Sequence, residues 1–401
     1  MTSAALPGQT SGAPAEQAAP APAAAARAPW LWGRGTDLAV FGGSAAVALA
    51  LAALAPALSK GGALPTWGWI AFVVAVDVAH VHTTLFRTYL DRDELRRRRA
   101  LYLGVPLACY LAGVGLHLAS SLTFWRALAY VAVFHFVRQQ AGWVAIYRAL
   151  AGERSRVDRL LDNALVYAAT GWPLLHWHAH AHLPRSFRWF VEGDFVAAPW
   201  LAALVGPLGA AYAAIGALYV ARAAQRALQG AAVNVGKHVV IAATAATWYV
   251  GIVGTDGDFA FTVTNVITHG VPYMALLFAY ARERAREAPG GLVARIVDPL
   301  APLAPRRAAR VPTWAYGAAA FVGVALLLAF AEEMLWDRLV WHDRPEIFGG
   351  DRERPLLGAI GSALVVPLLA VPQATHYVLD AVLWRRGDTG PAQARALGFR
   401  R

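Results

Sequence analysis

Runs of about 20 apolar residues recur along this chain, and that pattern decides what it can fold into. Such a run is long enough to cross a bilayer as a helix, in which every backbone N–H and C=O is paired internally. Composition agrees. Of 401 residues, 58% are hydrophobic and only 15% charged, where a water-soluble chain carries about 25%. An ordinary soluble enzyme and a disordered protein are both excluded. The expected fold class is all-α, a polytopic transmembrane helix bundle of ten spans: 37–58, 67–86, 101–121, 124–147, 161–178, 198–220, 237–254, 259–280, 313–331 and 356–384. Residues 1–36, rich in Ala and Pro, read as a disordered tail rather than a signal peptide, because no basic segment precedes an apolar run. Residues 37–386 form the helical domain and 387–401 a basic cytosolic tail, with no second soluble domain.

The charge supports the parse. Lys and Arg number 36 against 25 Asp and Glu, a formal net charge of +11. In a soluble protein this would suggest nucleic acid; between apolar spans it is accounted for by basic loops retained on the cytosolic side. With the N-terminus in the cytosol, 27 of the 36 basic residues fall on that face and eight on the other, leaving Arg138 inside the membrane. No nucleic-acid partner is expected; the partners are the lipid bilayer and a lipophilic small molecule. Both termini are expected in the cytoplasm, and an Ala- and Arg-rich composition like that of a GC-rich bacterium makes the bilayer a bacterial inner membrane. The single cysteine, Cys109, excludes a disulfide framework and a Cys-based zinc site.

Ionisable groups inside an apolar span are costly and therefore functional candidates. His117, His176, His178, His180, His182 and His342 fall at or beyond the outer ends of their spans. His80, His82, His135, His269 and His376 come from four spans and lie roughly 6 to 18 Å in from the cytosolic ends, at 1.5 Å per residue. His238 sits at the boundary. Each inner histidine has a polar residue one helical turn away: Asp77 before His80, Arg138 and Gln139 after His135, Asn265 and Tyr273 either side of His269, Asp380 after His376. Metal-bound imidazoles need such neighbours, because the second ring nitrogen donates to a group that fixes the tautomer. His80 and His82 are two residues apart, about 200° of rotation, so one regular helix cannot aim both at one metal; His80 is the preferred ligand.

Each of these features has a plainer reading. A single intramembrane histidine more often serves interhelical packing; the joint pattern of five at one depth points to a metal site. The alternating histidines of 177–182 fit a solvated interfacial loop, Arg96–Arg99 a stop-transfer signal, and Glu332 and Glu333 a solvated outer helix end. Pro272 is expected to kink the eighth span beside His269. No P-loop, GxGxxG, GxSxG or HExxH motif occurs.

Membrane desaturases carry HxxxH and HxxHH boxes, which this chain lacks. Single histidines spread over several helices, here His80, His135, His269 and His376, resemble the layout of the Brp/Blh-like β-carotene dioxygenases. The strings DVAHVHTTLFRTYLD and HYVLDAVLWR also resemble uncharacterised bacterial His-rich membrane proteins. The first resemblance implies a non-haem iron oxidoreductase acting with O₂ on a lipophilic substrate. His80, His135, His269 and His376, with His82 as a further candidate, would be metal ligands; Asp77, Asn265 and Asp380 would orient them; Arg138, Gln139 and Tyr273 would act on the substrate. A proton-coupled transporter using the same buried groups, or a bis-His haem protein, stays open on the sequence.

Overall fold

The structure is a computed structural model that describes residues 29–180, 189–298, 313–350, 357–384 and 390–399. The described residues form helices and connecting turns, with no strand. The long helices are α1 (Arg34–Ala53), α2 (Thr66–Arg87), α3 (Arg99–Ala119), α4 (Ser121–Leu150), α5 (Arg156–Ala179), α6 (Pro199–Leu228), α7 (Val235–Trp248, continued by a π-helical Tyr249–Gly254), α8 (Asp258–Glu287), α9 (Trp314–Trp341) and α10, in two halves (Ala359–Leu369 and Val371–Leu383) that meet at 43°. Six of them, α1, α2, α3, α6, α8 and α9, are long and apolar enough to cross a membrane, and α10 is a seventh if its halves count as one span. Helix α4 falls short of that apolarity because His135, Arg138, Gln139 and Gln140 lie in its middle.

Burial divides the helices into an axis and a shell. Helix α8 packs on α1, α2 and α7 and keeps nearly every side chain from Val263 to Gly270 buried. Helix α6 packs mainly on α5, reaches α7 through Tyr219 and His238, and leaves Leu218 and Val220 about two-thirds exposed. Apolar surface of that kind is compatible with a lipid surrounding. Close approach of α8 to α2 depends on Gly270: a Cβ there would lie 2.7 Å from Val76 Cγ1. The next-door His269 is thereby brought against His80. Small residues that let backbones approach are the usual cement of helices without a hydrophobic drive between them.

The first and last described segments meet at one end. Trp32 Nε1 donates to Ala396 O (3.0 Å), Arg87 Nη2 to Gln393 Oε1 (2.7 Å), and Gln393 Nε2 to Leu383 O (2.8 Å). Helix Pro391–Ala396 is therefore part of the bundle, with Gln393 1% exposed. Within the stretch expected as a basic cytosolic tail, Ala392, Ala396 and Leu397 fill the same core cluster as Leu31. Likewise only 29–36 of the expected N-terminal tail are described, and Leu31 there is buried; residues 1–28 lie outside the described residues.

Beside this junction Asp91 accepts from Arg284 Nε (2.7 Å) and Tyr280 OH (2.7 Å), and Glu94 pairs with Arg87 Nη1 (2.9 Å). Burial raises the Asp91 carboxyl, but the hydrogen bonds and charge of Arg284 with the Tyr280 hydroxyl outweigh it and hold the group below its ordinary value.

Candidate metal centre

Four helices deliver one histidine each to the middle of the bundle: α2 His80, α4 His135, α8 His269 and α10 His376. All are at most 5% exposed, and one ligand atom from each lies within 4.8 Å of the others. The Nε2 atoms of His80 and His269 are 3.2 Å apart, as are those of His376 and His135. Ring centroids of neighbouring members are separated by 4.7 to 5.0 Å. A tetrahedral ion with nitrogens at about 2.0 Å has nitrogen–nitrogen edges of about 3.3 Å, so the spacing matches a coordination sphere.

The outward-facing nitrogens decide what the inward ones present. His80 Nδ1 lies 3.3 Å from Val76 O and 3.8 Å from Asp77 Oδ1. A carbonyl only accepts, so Nδ1 carries the proton and Nε2 points inward as a lone pair. His135 Nδ1 lies 3.6 Å from Asp380 Oδ2, which places a carboxyl beside the ring without a hydrogen bond to it. His376 Nδ1 is bound to the Thr84 hydroxyl at 2.8 Å, and Thr84 in turn to Tyr273 OH at 3.2 Å. Lone pairs converging in a dry interior repel unless a cation or proton sits among them.

Of the predicted ligands the structure assembles His80, His135, His269 and His376, and excludes His82. The exclusion follows from rotation: helix α2 is π-helical over Trp69–Val78, α-helical over Ala79–Thr83 and 3₁₀ over Thr84–Arg87, and His82 still emerges on the far side from His80. His82 Nε2 faces Glu332 Oε2 of α9 at 2.8 Å. That also corrects the expectation that Glu332 is solvated. Helix α9 continues to Trp341, so Glu332 stands about 13 Å inside its end. It is 7% exposed and accepts from Trp336 Nε1 and Gln373 Nε2.

The orienting residues divide. Asp77 stands beside His80 as expected, but Asp380 faces His135 rather than His376, whose Nδ1 meets Thr84, and Asp380 is itself held by Trp384 Nε1 (2.6 Å). Asn265 does not orient His269: its amide nitrogen donates to Phe261 O (3.0 Å), and His269 Nδ1 has no hydrogen-bond partner. The His269 ring is fixed by stacking instead, with Phe136 parallel at 3.6 Å between centroids. A lone phenylalanine in an apolar helix carries no sequence signal for that role. Gln139 Nε2 donates to His269 O (2.8 Å), tying α4 to α8. Pro272 leaves α8 a single continuous helix from Asp258 to Glu287. Arg138, on the outside of α4, donates to Tyr167 OH.

A cavity of ≈ 520 Å³ opens against this layer, bounded by His135, Arg138, Gln139, Tyr273, Asp380 and Trp384 among others. It gathers the three residues expected to meet a substrate, Arg138, Gln139 and Tyr273. Fold and cluster together describe a helical bundle with a buried tetra-imidazole centre. Comparison with protein-family models, with curated proteins and with solved structures finds no match.

Proposed function

We propose that this chain is an integral-membrane metalloprotein whose four histidines hold one transition-metal ion, and that it is an oxidoreductase acting with O₂ on a lipophilic substrate. The supporting observation is the convergence of the four buried histidines, with Val76 O accepting at the outward nitrogen of His80 and the Asp380 carboxyl near that of His135. An all-imidazole donor set suits iron, copper, nickel or zinc. Iron is the reading that fits the proposed chemistry: held by the four histidines, it would supply the one-electron steps that let O₂ react with the substrate, which gives up the electrons. Haem is disfavoured: rings 4.7 to 5.0 Å apart leave no slot for a macrocycle.

The chain's own residues would then work as follows. Asp77 and Asp380 keep Nδ1–H of His80 and His135 aimed outward and raise ligand basicity. Thr84 passes between His376 and Tyr273, giving a hydroxyl route for a proton to the cavity wall. Arg138 and Gln139 border the cavity, whose apolar wall of Phe134, Trp143 and Leu276 excludes water from a hydrocarbon substrate. Ten spans, with both termini in the cytoplasm of a bacterium, remain the proposed topology; the meeting of Trp32 with Ala396 supports the two ends sharing one side.

Metal analysis and a visible spectrum of detergent-purified protein test this. About one equivalent of iron without a haem band is expected, falling below ~0.2 equivalents in the His80→Ala, His376→Ala double variant. Wild-type protein below ~0.2 equivalents of every transition metal rejects the reading. A proton-coupled carrier is the second reading, favoured by the buried His82–Glu332–Gln373 line, which extends polar groups beyond the histidine layer. Proteoliposome flux abolished by Asp380→Asn at unchanged metal content would select it.

A further inference from the structure

A larger cavity, of ≈ 710 Å³, lies between α6 and α7 with α5 behind it. None of these three helices carries one of the four converging histidines. The hydrogen bond between Tyr219 OH and His238 Nδ1 (2.5 Å) crosses it and sets how far α6 stands from α7. Deeper than that strut, Ala213 and Gly216 of α6 and Ala242 and Ala245 of α7 are too short to fill the width, and Leu165 of α5 forms the back. Protein interiors are close-packed, so a slot of this size, within the about 300–1,000 Å³ of small-molecule sites, is room for a second molecule. Val220 in its lining is about two-thirds exposed, so the slot reaches the outer surface of the bundle.

The other end of the slot is charged. Asp158 accepts from Arg222 Nε (2.7 Å) and Arg226 Nη1 (2.9 Å); Lys237 pairs with Glu153 (2.8 Å) and Asp162 (3.2 Å), and Arg148 with Asp162 (3.2 Å). Four cations thus share three carboxylates among the described residues. The carboxylates are 2 to 6% exposed, whereas Arg222 and Arg226 are 36% and 29% exposed, so the charged surface at this end is guanidinium. The Nη2 groups of both arginines make no hydrogen bond among the described residues and remain as donors. Arg154, Arg156 and Arg159, next to Glu153 and Asp158 in sequence, stand exposed beside them.

Tyr212, Gly216, Tyr219, Arg222 and Arg226 follow one another at three- and four-residue steps, so one face of α6 runs from apolar to basic along the slot. From Arg222 to Ala213 it extends about 13 Å, close to half of a ~30 Å hydrocarbon core. A basic mouth over an apolar slot one leaflet deep is the complement of an anionic head carrying a hydrocarbon chain, and paired guanidiniums suit the oxygens of a phosphate.

We propose that this slot is a binding site for an anionic phospholipid, with its phosphate on Arg222 and Arg226 and one acyl chain passing beside Tyr219 into the alanine-lined part. The site rests on the membrane half of the reading above and is independent of the metal.

The test uses the full chain in detergent, mixed with dioleoylphosphatidylglycerol, dioleoylphosphatidylcholine or glycerol phosphate, with retained molecules counted by native mass spectrometry. Phosphatidylglycerol should be retained about tenfold or more over phosphatidylcholine, and glycerol phosphate, which lacks the chains, should not be retained. The Arg222→Gln, Arg226→Gln double variant should bring phosphatidylglycerol down to the phosphatidylcholine level. Ala242→Phe, which sets a ring in the slot and leaves the charges in place, should lower it about fivefold or more. Circular dichroism and size-exclusion profiles check folding; if the double variant does not fold, Ala242→Phe decides. Equal retention of the two lipids, retention of glycerol phosphate as strong as that of the lipid, or retention indifferent to the substitutions would overturn the assignment. Metal content of the same samples separates the two readings: a chain that retains the lipid without metal rejects the metal centre alone, and a chain with metal and no lipid preference rejects this site alone.

Discussion

Two cavities, of ≈ 520 and ≈ 280 Å³, share Tyr377 and are divided by one layer of imidazoles, and their polar chemistry differs in one group, the guanidinium of Arg138. Besides Arg138 the ≈ 520 Å³ cavity carries Gln139, the Tyr273 hydroxyl and the Asp380 carboxyl; the ≈ 280 Å³ cavity carries Asp77, Glu333, Thr262, Asn265 and Gln373. Both lie along the same three helices, so the contrast does not come from the backbone. It comes from which side chain stands one turn before the histidine and which one turn after. Asn265 and Gln373 precede His269 and His376, while Tyr273 and Asp380 follow them. The layer thus separates a face that carries a guanidinium from a face lined by carboxyl, amide and hydroxyl groups with no Lys or Arg.

The comparison breaks most sharply at the layer itself. Replacing His135 with Ala should abolish stoichiometric metal, because three imidazoles of a buried set leave an incomplete sphere; elemental analysis of purified protein reads the loss. If metal stays at wild-type level, the layer is a packing device and the two cavities are one. Next in size, Asp380→Asn should lower metal affinity about 10- to 100-fold in a chelator competition. Glu333→Gln, on the other side, should leave it unchanged. Equal effects from both would show that the side without Lys or Arg also supports the metal.

A smaller effect is expected away from both cavities. Asp91 lies in the loop after α2, and its folded-state pKa is depressed. It therefore contributes stability that is fully present above its unfolded value of about 3.9 and is lost as pH falls through the lower folded value. Asp91→Asn should cost about 1.5–3 kcal/mol in thermal unfolding at neutral pH and remove the part of the acid sensitivity that sets in below about pH 4, with metal content unaffected. Smallest is Thr84→Val, which removes the hydroxyl on His376 Nδ1. About a tenfold or smaller loss of metal affinity is expected, and an undiminished affinity would show that the Tyr273–Thr84–His376 connection does not hold the ring.

How much of this was legible in the sequence depends on the physics of each feature. Helical fold class and the four converging histidines follow from period and depth: apolar runs define helices, and ionisable groups at a common level along them meet. His82 was legible in part, since a two-residue offset on a helix points away. Glu332 was not, because its depth depends on where α9 ends, and the apolar run is followed by a helical but polar extension to Trp341. The Phe136 stack and the unpartnered oxygens of Asn265 and Gln373 were not legible either. Periodicity names a face; it does not say which atom of an amide is left over once its neighbours have chosen theirs. Residues 390–399 read as a tail because they are short and follow the last apolar run, and only the contacts of Gln393 and Ala396 show them folded in.

The spacing of the four histidines along the chain governs the order of assembly. His80 and His269 are separated by 189 positions, His135 and His376 by 241. During synthesis from the N-terminus, three imidazoles are in place long before the fourth leaves the ribosome. The centre closes only when α10 packs beside α2 and α4, so on the proposed reading loading with metal belongs to the final stage of biogenesis. Translation stalled ahead of that helix would leave three of the four histidines assembled without the last one that the proposed ion requires.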